Sequence, residues 1–305
     1  MSGVDQTNLL NNLKDIAQKA GLDISEELAK INAKLESSTA LSKTWERVEL
    51  ARHSDRPRTL DYINLIFDNF TELHGDRFFG DDPAMIGGIG FIDGRPVTVI
   101  GTQKGRNLRE TIDRNGGMAN PEGYRKAMRL AKQAEKFKRP IITFIDTQGA
   151  YPGLGAEERG IGEAIAFNLR EFSRLKTPII CIIIGEGGSG GALGIGVGDK
   201  IYMLENAIFS VISPEGCASI LLRDSSRAKD AAAMLKITSQ EVLDLKVING
   251  IIPEPEKGAH TDPKKTADAI KEQIIKDLDD LTKRDPAVLV KYRSKKIRSI
   301  GKYSE

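Results

Sequence analysis

An apolar run from Ile179 to Ile184 empties directly into Gly185-Glu186-Gly187-Gly188-Ser189-Gly190-Gly191-Ala192-Leu193-Gly194. A short run of isoleucines with no polar alternation fits a strand buried on both faces, the kind found in parallel sheets covered by helices. The glycines then permit a tight turn and close approach to the main chain, and Ala192-Leu193 resume an apolar pattern suited to a helix. Strand, glycine turn and helix in that order point to an α/β core. The first turn of such a helix carries N–H groups with no intrahelical partner. This place therefore suits an anion, or a group that becomes anionic during a reaction.

The 305 residues suffice for one large domain with appendages. With 45 basic and 43 acidic residues, no global field favours nucleic acid or a membrane surface. Cys181 sits inside the apolar run and Cys217 far from it, so neither disulfide nor metal spacing is present, and Cys181 reads as a buried inert thiol. The histidines are His53, His74 and His260, without metal-ligand spacing. No stretch has the length of a membrane span and the N-terminal residues lack a leader pattern, so the expected compartment is the cytoplasm.

Three regions are expected: a helical segment over 1–52, a catalytic core over 53–255, and a helical segment with a basic tail over 256–305. In the first, Leu9, Leu13 and Ile16, then Ile24, Leu28, Ile31 and Leu35, recur at helical spacing as packing stripes. A helix capped at Thr59 is expected to turn Leu60, Ile63, Phe67 and Phe70 inward. A hairpin comes next, Met85–Ile92 and Val97–Ile100 around Asp93-Gly94. Then come a helix from Asn120-Pro121 to about Phe137, a strand Ile141–Asp146, a glycine loop Thr147–Gly155, and a helix ending near Arg174. After the opening feature, strands are expected at Lys200–Leu204, Ala207–Ile212 and Val247–Ile252. Helices are expected from Pro214, from the capping box Thr238–Glu241, and up to about Leu281. The tail, with Lys291, Arg293, Lys295, Lys296, Arg298 and Lys302, reads as a solvated face, with an acidic or phosphate partner as the alternative.

The glycine turn fits several patterns. Gly185-x-Gly187-x-x-Gly190 matches a dinucleotide fingerprint, with Glu205 as the ribose ligand, but such a domain normally starts with its motif. Gly187-Gly188-Ser189-Gly190-Gly191 matches a serine elbow, yet the only downstream histidine, His260, lies in a proline-bearing connection. A third reading uses backbone alone: consecutive N–H groups at Gly190, Gly191 and Ala192 would stabilise a developing oxyanion without histidine or metal. A fourth is a glycine turn that only lets helix pack on strand.

A second strand-to-loop passage, Asp146-Thr147-Gln148-Gly149-Ala150-Tyr151-Pro152-Gly153-Leu154-Gly155, ends the preceding strand. Ligands of open α/β sheets gather at the carboxyl ends of strands, so both loops can face one cleft. Asp146 reads as a carboxylate that fixes the loop, with an acid–base role as the alternative. These two loops, Gly75-Asp76-Arg77, and Arg114-Asn115-Gly116-Gly117-Met118-Ala119-Asn120-Pro121-Glu122-Gly123-Tyr124 together resemble the carboxyltransferase α subunits of bacterial acetyl-CoA carboxylases. The resemblance runs from about Leu41 to about Pro255 and takes in the helical N-terminal segment.

The resemblance implies a crotonase-like (ClpP/crotonase) spiral of ββα units with an N-terminal helical extension. It implies transfer of the carboxyl group of carboxybiotin, carried on a biotin carboxyl carrier protein, to acetyl-CoA, giving malonyl-CoA for fatty acid biosynthesis. It further implies an α2β2 assembly with a zinc-bearing β subunit, and biotin carboxylase in the larger complex. On this basis Gly191 and Ala192, with Gly190, are expected to form an oxyanion hole for the biotin ureido oxygen. Gly149, Ala150, Gly153, Gly155 and Gly188 are expected to shape the biotin wall, with no metal in this chain. A decarboxylase or a carboxyltransferase acting on propionyl-CoA would share the glycine loops. Arg106, Arg109, Arg114, Arg125 and Arg129 read as a solvated face, with CoA phosphates or the carrier protein as alternative partners.

Overall fold

The computed structural model describes residues 29–30 and 41–301. The packing stripes expected between Leu9 and Leu35 lie outside the described residues. A helix α1 over 41–51 leads into α2, Thr59–Ile66, which turns Tyr62, Ile63 and Ile66 into the core. The cap of α2 lies one residue earlier than expected, at Arg58, whose N–H donates to the Asp61 carboxylate at 2.8 Å. The helix also stops before Phe70. Phe67 is already extended, and Asp68–Glu72 form an edge strand β1 paired antiparallel to β2, Met85–Ile92. Phe70 instead packs over Gly88, where an added Cβ would meet its ring at 2.7 Å.

The Asp93-Gly94 hairpin forms as expected and joins β2 to β3, Arg95–Thr102, in continuous antiparallel register. Next in the chain are α3 (Leu108–Asp113), α4 (Pro121–Lys136), β4 (Ile141–Thr147), the short α5 (Leu154–Glu158) and α6 (Ile161–Arg174). Gly160, at φ 79°, breaks the single helix expected here into α5 and α6. The strand β5, Ile179–Gly188, leads into α7, Ser189–Leu193. The rest is β6 (Lys200–Leu204), β7 (Ile208–Ser210), α8 (Pro214–Cys217), α9 (Ala228–Leu235), α10 (Ser239–Asp244), β8 (Gly250–Ile252), α11 (Pro263–Leu281) and α12 (Pro286–Arg298).

One mixed sheet of order β1-β2-β3-β4-β5-β6-β8 results, antiparallel as far as β3 and parallel beyond it, with β7 also on β5. Its centre, β4 and β5, is almost wholly buried, and helices α4 and α6 cover it with Ala127, Leu130, Ala131 and Phe172. Cys181 is inside this layer, where burial pushes its thiol up to about 11.

Two expectations are corrected here. The glycine turn is not a turn at its start, because β5 continues through Gly185–Gly188, paired from Glu186 onward with β7. The tail is not a solvated face throughout. It forms α12, and Arg293, 1% exposed, pairs with Asp199 at 2.8 Å and donates to the carbonyls of Phe172, Leu175 and Thr177.

Candidate active site

The carboxyl ends of β4 and β5 bring the two glycine segments into backbone contact. A Cβ on Gly188 would lie 2.0 Å from the Gln148 carbonyl oxygen, and one on Gly191 would lie 2.3 Å from the Gly149 carbonyl carbon and 2.6 Å from the Ala150 nitrogen. No side chain fits in either place, so the interlock requires glycine. From behind, the Tyr124 hydroxyl donates to the Gly191 carbonyl at 3.2 Å, and Asn168 donates to the Gly194 carbonyl at 3.0 Å. Thr147 fastens the other segment, its hydroxyl donating to the Gly149 carbonyl at 2.6 Å, while the Tyr151 N–H reaches the Ala119 carbonyl.

Helix α7 begins at Ser189, which itself holds φ 49°, with Gly188 as N-cap. The amides of Ser189, Gly190 and Gly191 thus lack intrahelical acceptors, whereas the α-helical pattern gives the Ala192 N–H the Gly188 carbonyl. Of the residues expected to form an oxyanion hole, Gly190 and Gly191 therefore have amides without intrahelical acceptors, and Ala192 has one within the helix. Across the interlock the Ala150 N–H has no hydrogen-bond partner among the described residues.

The positions expected to shape a wall separate. At Gly149 an added Cβ would meet nothing within 4 Å among the described residues, and its φ is unexceptional, so no packing among them demands glycine there. Among the described residues the place of a Gly153 side chain is filled by the Tyr151 ring, that of Gly155 is bordered by the Arg159 guanidinium, which Glu122 and Asn120 hold, and Gly188 is explained by the interlock. Beside α7 opens an apolar cleft of about 370 Å³, lined by Ser189, Gly190, Leu193, Phe209, Val211 and Leu245. A mostly apolar cleft with a few polar groups at one end is the usual form of a small-molecule site.

Charges collect under the interlock. Asp146, at the end of β4, accepts the Glu186 N–H at 2.9 Å and the Lys104 ammonium at 2.7 Å. Lys104 also reaches Glu186 at 2.8 Å, and Arg52 bridges Glu186 and Glu215, each at 2.7 Å. Burial alone would raise the Glu186 carboxyl, but Lys104 and Arg52 outweigh it and hold it below the usual range. Asp146 thus ties the end of β4 to β5 and to Lys104. Lys104 and Arg52 carry no motif. The one sequence signal for Lys104 was its place just past β3, on the edge where both glycine segments end.

The competing readings lose their parts. Asp146 fills the space beside Gly185, at 2.4 Å from an added Cβ, and puts an anion where a pyrophosphate would approach. Ser189 has no histidine or carboxylate partner among the described residues, and His260 stacks on His53 at 3.8 Å instead. Three of the five arginines brace a loop rather than forming a solvated face. Arg125 pairs with Asp76 at 2.9 Å, Arg129 donates to the Gly75 carbonyl, and Arg114 donates to the Pro83 carbonyl. Asp76 in turn accepts the N–H groups of Phe78, Phe79 and Gly80. Among the described residues no group of three histidine, cysteine, aspartate or glutamate side chains could hold a metal ion.

Comparison with known proteins gives consistent matches. A family profile described as acetyl co-enzyme A carboxylase carboxyltransferase-like matches residues 4–301. A curated protein of Treponema denticola, acetyl-coenzyme A carboxylase carboxyl transferase subunit alpha, is 98% identical over 305 residues, covering 100% of both chains. A Staphylococcus aureus protein of the same name is 54% identical over 98% of this chain and 96% of its own. Among solved structures, a transcarboxylase 12S chain superposes with a TM-score of 0.57 at 19% identity, over 70% of this chain and 41% of that one. A chain of a Pseudomonas malonate decarboxylase hetero-tetramer in complex with coenzyme A gives 0.57 at 18% identity, over 72% and 90%. These two likenesses concern the fold, which is the crotonase-like fold of carboxyltransferases.

Proposed function

This chain belongs to the family of acetyl-CoA carboxylase carboxyltransferase α subunits, and from that premise we propose how its glycine segments serve the reaction. The protein is the α subunit of an enzyme that transfers a carboxyl group to acetyl-CoA, giving malonyl-CoA. Biotin on a separate carrier protein would supply that group, and the Gly190, Gly191 and Ala150 N–H groups would hold its ureido oxygen. The fit rests on two features of this chain: helix-start amides without intrahelical acceptors at Gly190 and Gly191, and open space above Gly149.

In this reading the Gly190 and Gly191 N–H groups, with the Ala150 N–H opposite, receive the oxyanion. Donors fixed before reaction cost no reorganisation, and each contributes about 3–4 kcal/mol to the transition state. Gly149 and Ala150 face the ring system, and the interlock with Gly188 holds both walls at a fixed spacing. Nothing here needs a protein base or metal, so positioning and backbone dipoles supply the chain's share of catalysis. The observation that carries the reading is the interlock itself, which admits no side chain at Gly188 or Gly191 and brings the Ala150 nitrogen close beside Gly191.

The proposed partners are a β subunit in an α2β2 assembly, the biotin carboxyl carrier protein, and biotin carboxylase in the larger complex. The acetyl-CoA side of the site falls to β. No described helix is long and apolar enough to cross a membrane, and the proposed compartment is the cytoplasm. Malonyl-CoA formation from carboxylated carrier and acetyl-CoA tests the division of labour. The isolated α subunit should give none, and the reconstituted αβ complex should turn over. Activity of α alone would refute the shared site.

A further inference from the structure

We propose that Lys104 is a positioning residue for carboxyl transfer, its ammonium drawing the Asp146 and Glu186 carboxylates together where the central sheet changes register, and thereby setting the Gly190 and Gly191 amides. The proposal rests on the oxyanion reading above. Its starting point is an irregularity in β5. Ile145 faces Ile183, yet Thr147 faces Gly187, so β5 carries two more residues than β4 over that interval. Over the same interval β5 exchanges its other neighbour, pairing with β6 up to Ile183 and with β7 from Glu186. Extra residues in one strand bend it and re-aim the chain beyond the bend. In β5 the re-aimed residues are Gly187, Gly188 and the whole of α7.

At such a break the ladder cannot satisfy every main-chain group, and side chains take over. The Arg56 guanidinium donates to the Ile184 carbonyl at 2.7 Å, and Asp146 accepts the Glu186 N–H at 2.9 Å. The second contact places one buried carboxylate beside another, since Asp146 and Glu186 are each 4% exposed. Two like charges in that setting repel unless a cation lies between them. Lys104 is that cation, 2.7 Å from Asp146 and 2.8 Å from Glu186. Among the described residues the Arg52 side chain engages Glu186 and Glu215 but not Asp146, so it does not bridge the pair. Because Lys104 lies just past β3, one ammonium ties the ends of three adjacent strands.

The tolerance above this clamp is small. With 2.0 Å between an added Gly188 Cβ and the Gln148 carbonyl, any spreading of Asp146 from Glu186 separates the two walls. Lys104 would then control the rate without touching substrate.

The test is Lys104→Met in the reconstituted αβ complex, with steady-state kinetics and hydrogen exchange over 186–194. A displacement of about 1 Å at a reacting centre costs up to roughly 100-fold, so kcat should fall about 10- to 100-fold. The KM for acetyl-CoA should stay near native and exchange over 186–194 should quicken. In Lys104→Met/Asp146→Asn the amide oxygen still accepts the Glu186 N–H while one facing charge is gone. Its kcat should recover part of the loss yet remain below native. Native kcat in Lys104→Met with unchanged exchange would overturn the clamp. Native kcat with quickened exchange would overturn the proposal too, and would also remove the reaction from these amides. Should the single variant not assemble, the charge-balanced double variant decides, and native kcat there overturns the proposal.

Discussion

At Gly188 and Gly191 the missing side chain is what lets the two segments meet, because each admits the backbone of the other segment to within 2.0 and 2.3 Å of where a Cβ would stand. Alanine at either position should cost at least about 1–3 kcal/mol through forced separation of the segments, read as a lowered melting temperature and lost turnover together. Gly149→Ala should behave differently. Its Cβ meets nothing within 4 Å, so stability should stay within about 0.5 kcal/mol of native. A fall in kcat/KM with melting unchanged would place a ligand over Gly149, and native kinetics would remove it from the site. Local sequence showed that all three are glycines. It could not rank them, because the reason for Gly188 and Gly191 lies in Gln148, Gly149 and Ala150, which are remote in the chain, while Gly149 has no such neighbour among the described residues.

Among the elements, the strands and most helices were legible from turn chemistry and periodicity, Asp93-Gly94 and Asn120-Pro121 among them. Two of the errors share one cause. Residues 68–72 and 185–188 became strand because distant segments, β2 and β7, offered them a ladder, and no local pattern announces a partner far along the chain. The basic tail was misread for a related reason: Arg293 looks like its charged neighbours in sequence, but α12 carries it to Asp199 and three carbonyls. Removing one member of a buried pair leaves the other charge unpaired, at a cost of about 3–5 kcal/mol. Arg293→Met should therefore melt well below native, while Lys295→Met on the exposed side of the same helix should melt near it. Equal melting of the two variants would show that α12 is not held by this pair.

At the scale of the molecule, Leu193, Val211 and Leu245, which line the apolar cleft beside α7, are exposed, Val211 by 75%, and exposed apolar surface beside a cleft suits a partner or ligand. That suits a chain whose chemistry is completed by another subunit. The family was legible from long glycine-bearing strings, but the charged clamp beneath them was not, since Lys104, Asp146 and Glu186 converge only in the folded sheet. The most direct test of the backbone oxyanion site replaces Gly191 by glycolic acid in the αβ complex, exchanging one N–H for an ester oxygen without adding an atom to the interlock. Loss of one such donor costs about 100- to 1,000-fold in kcat. The expected result is a fall of that order with the KM for acetyl-CoA near native, and native kcat in the ester variant would contradict the assignment.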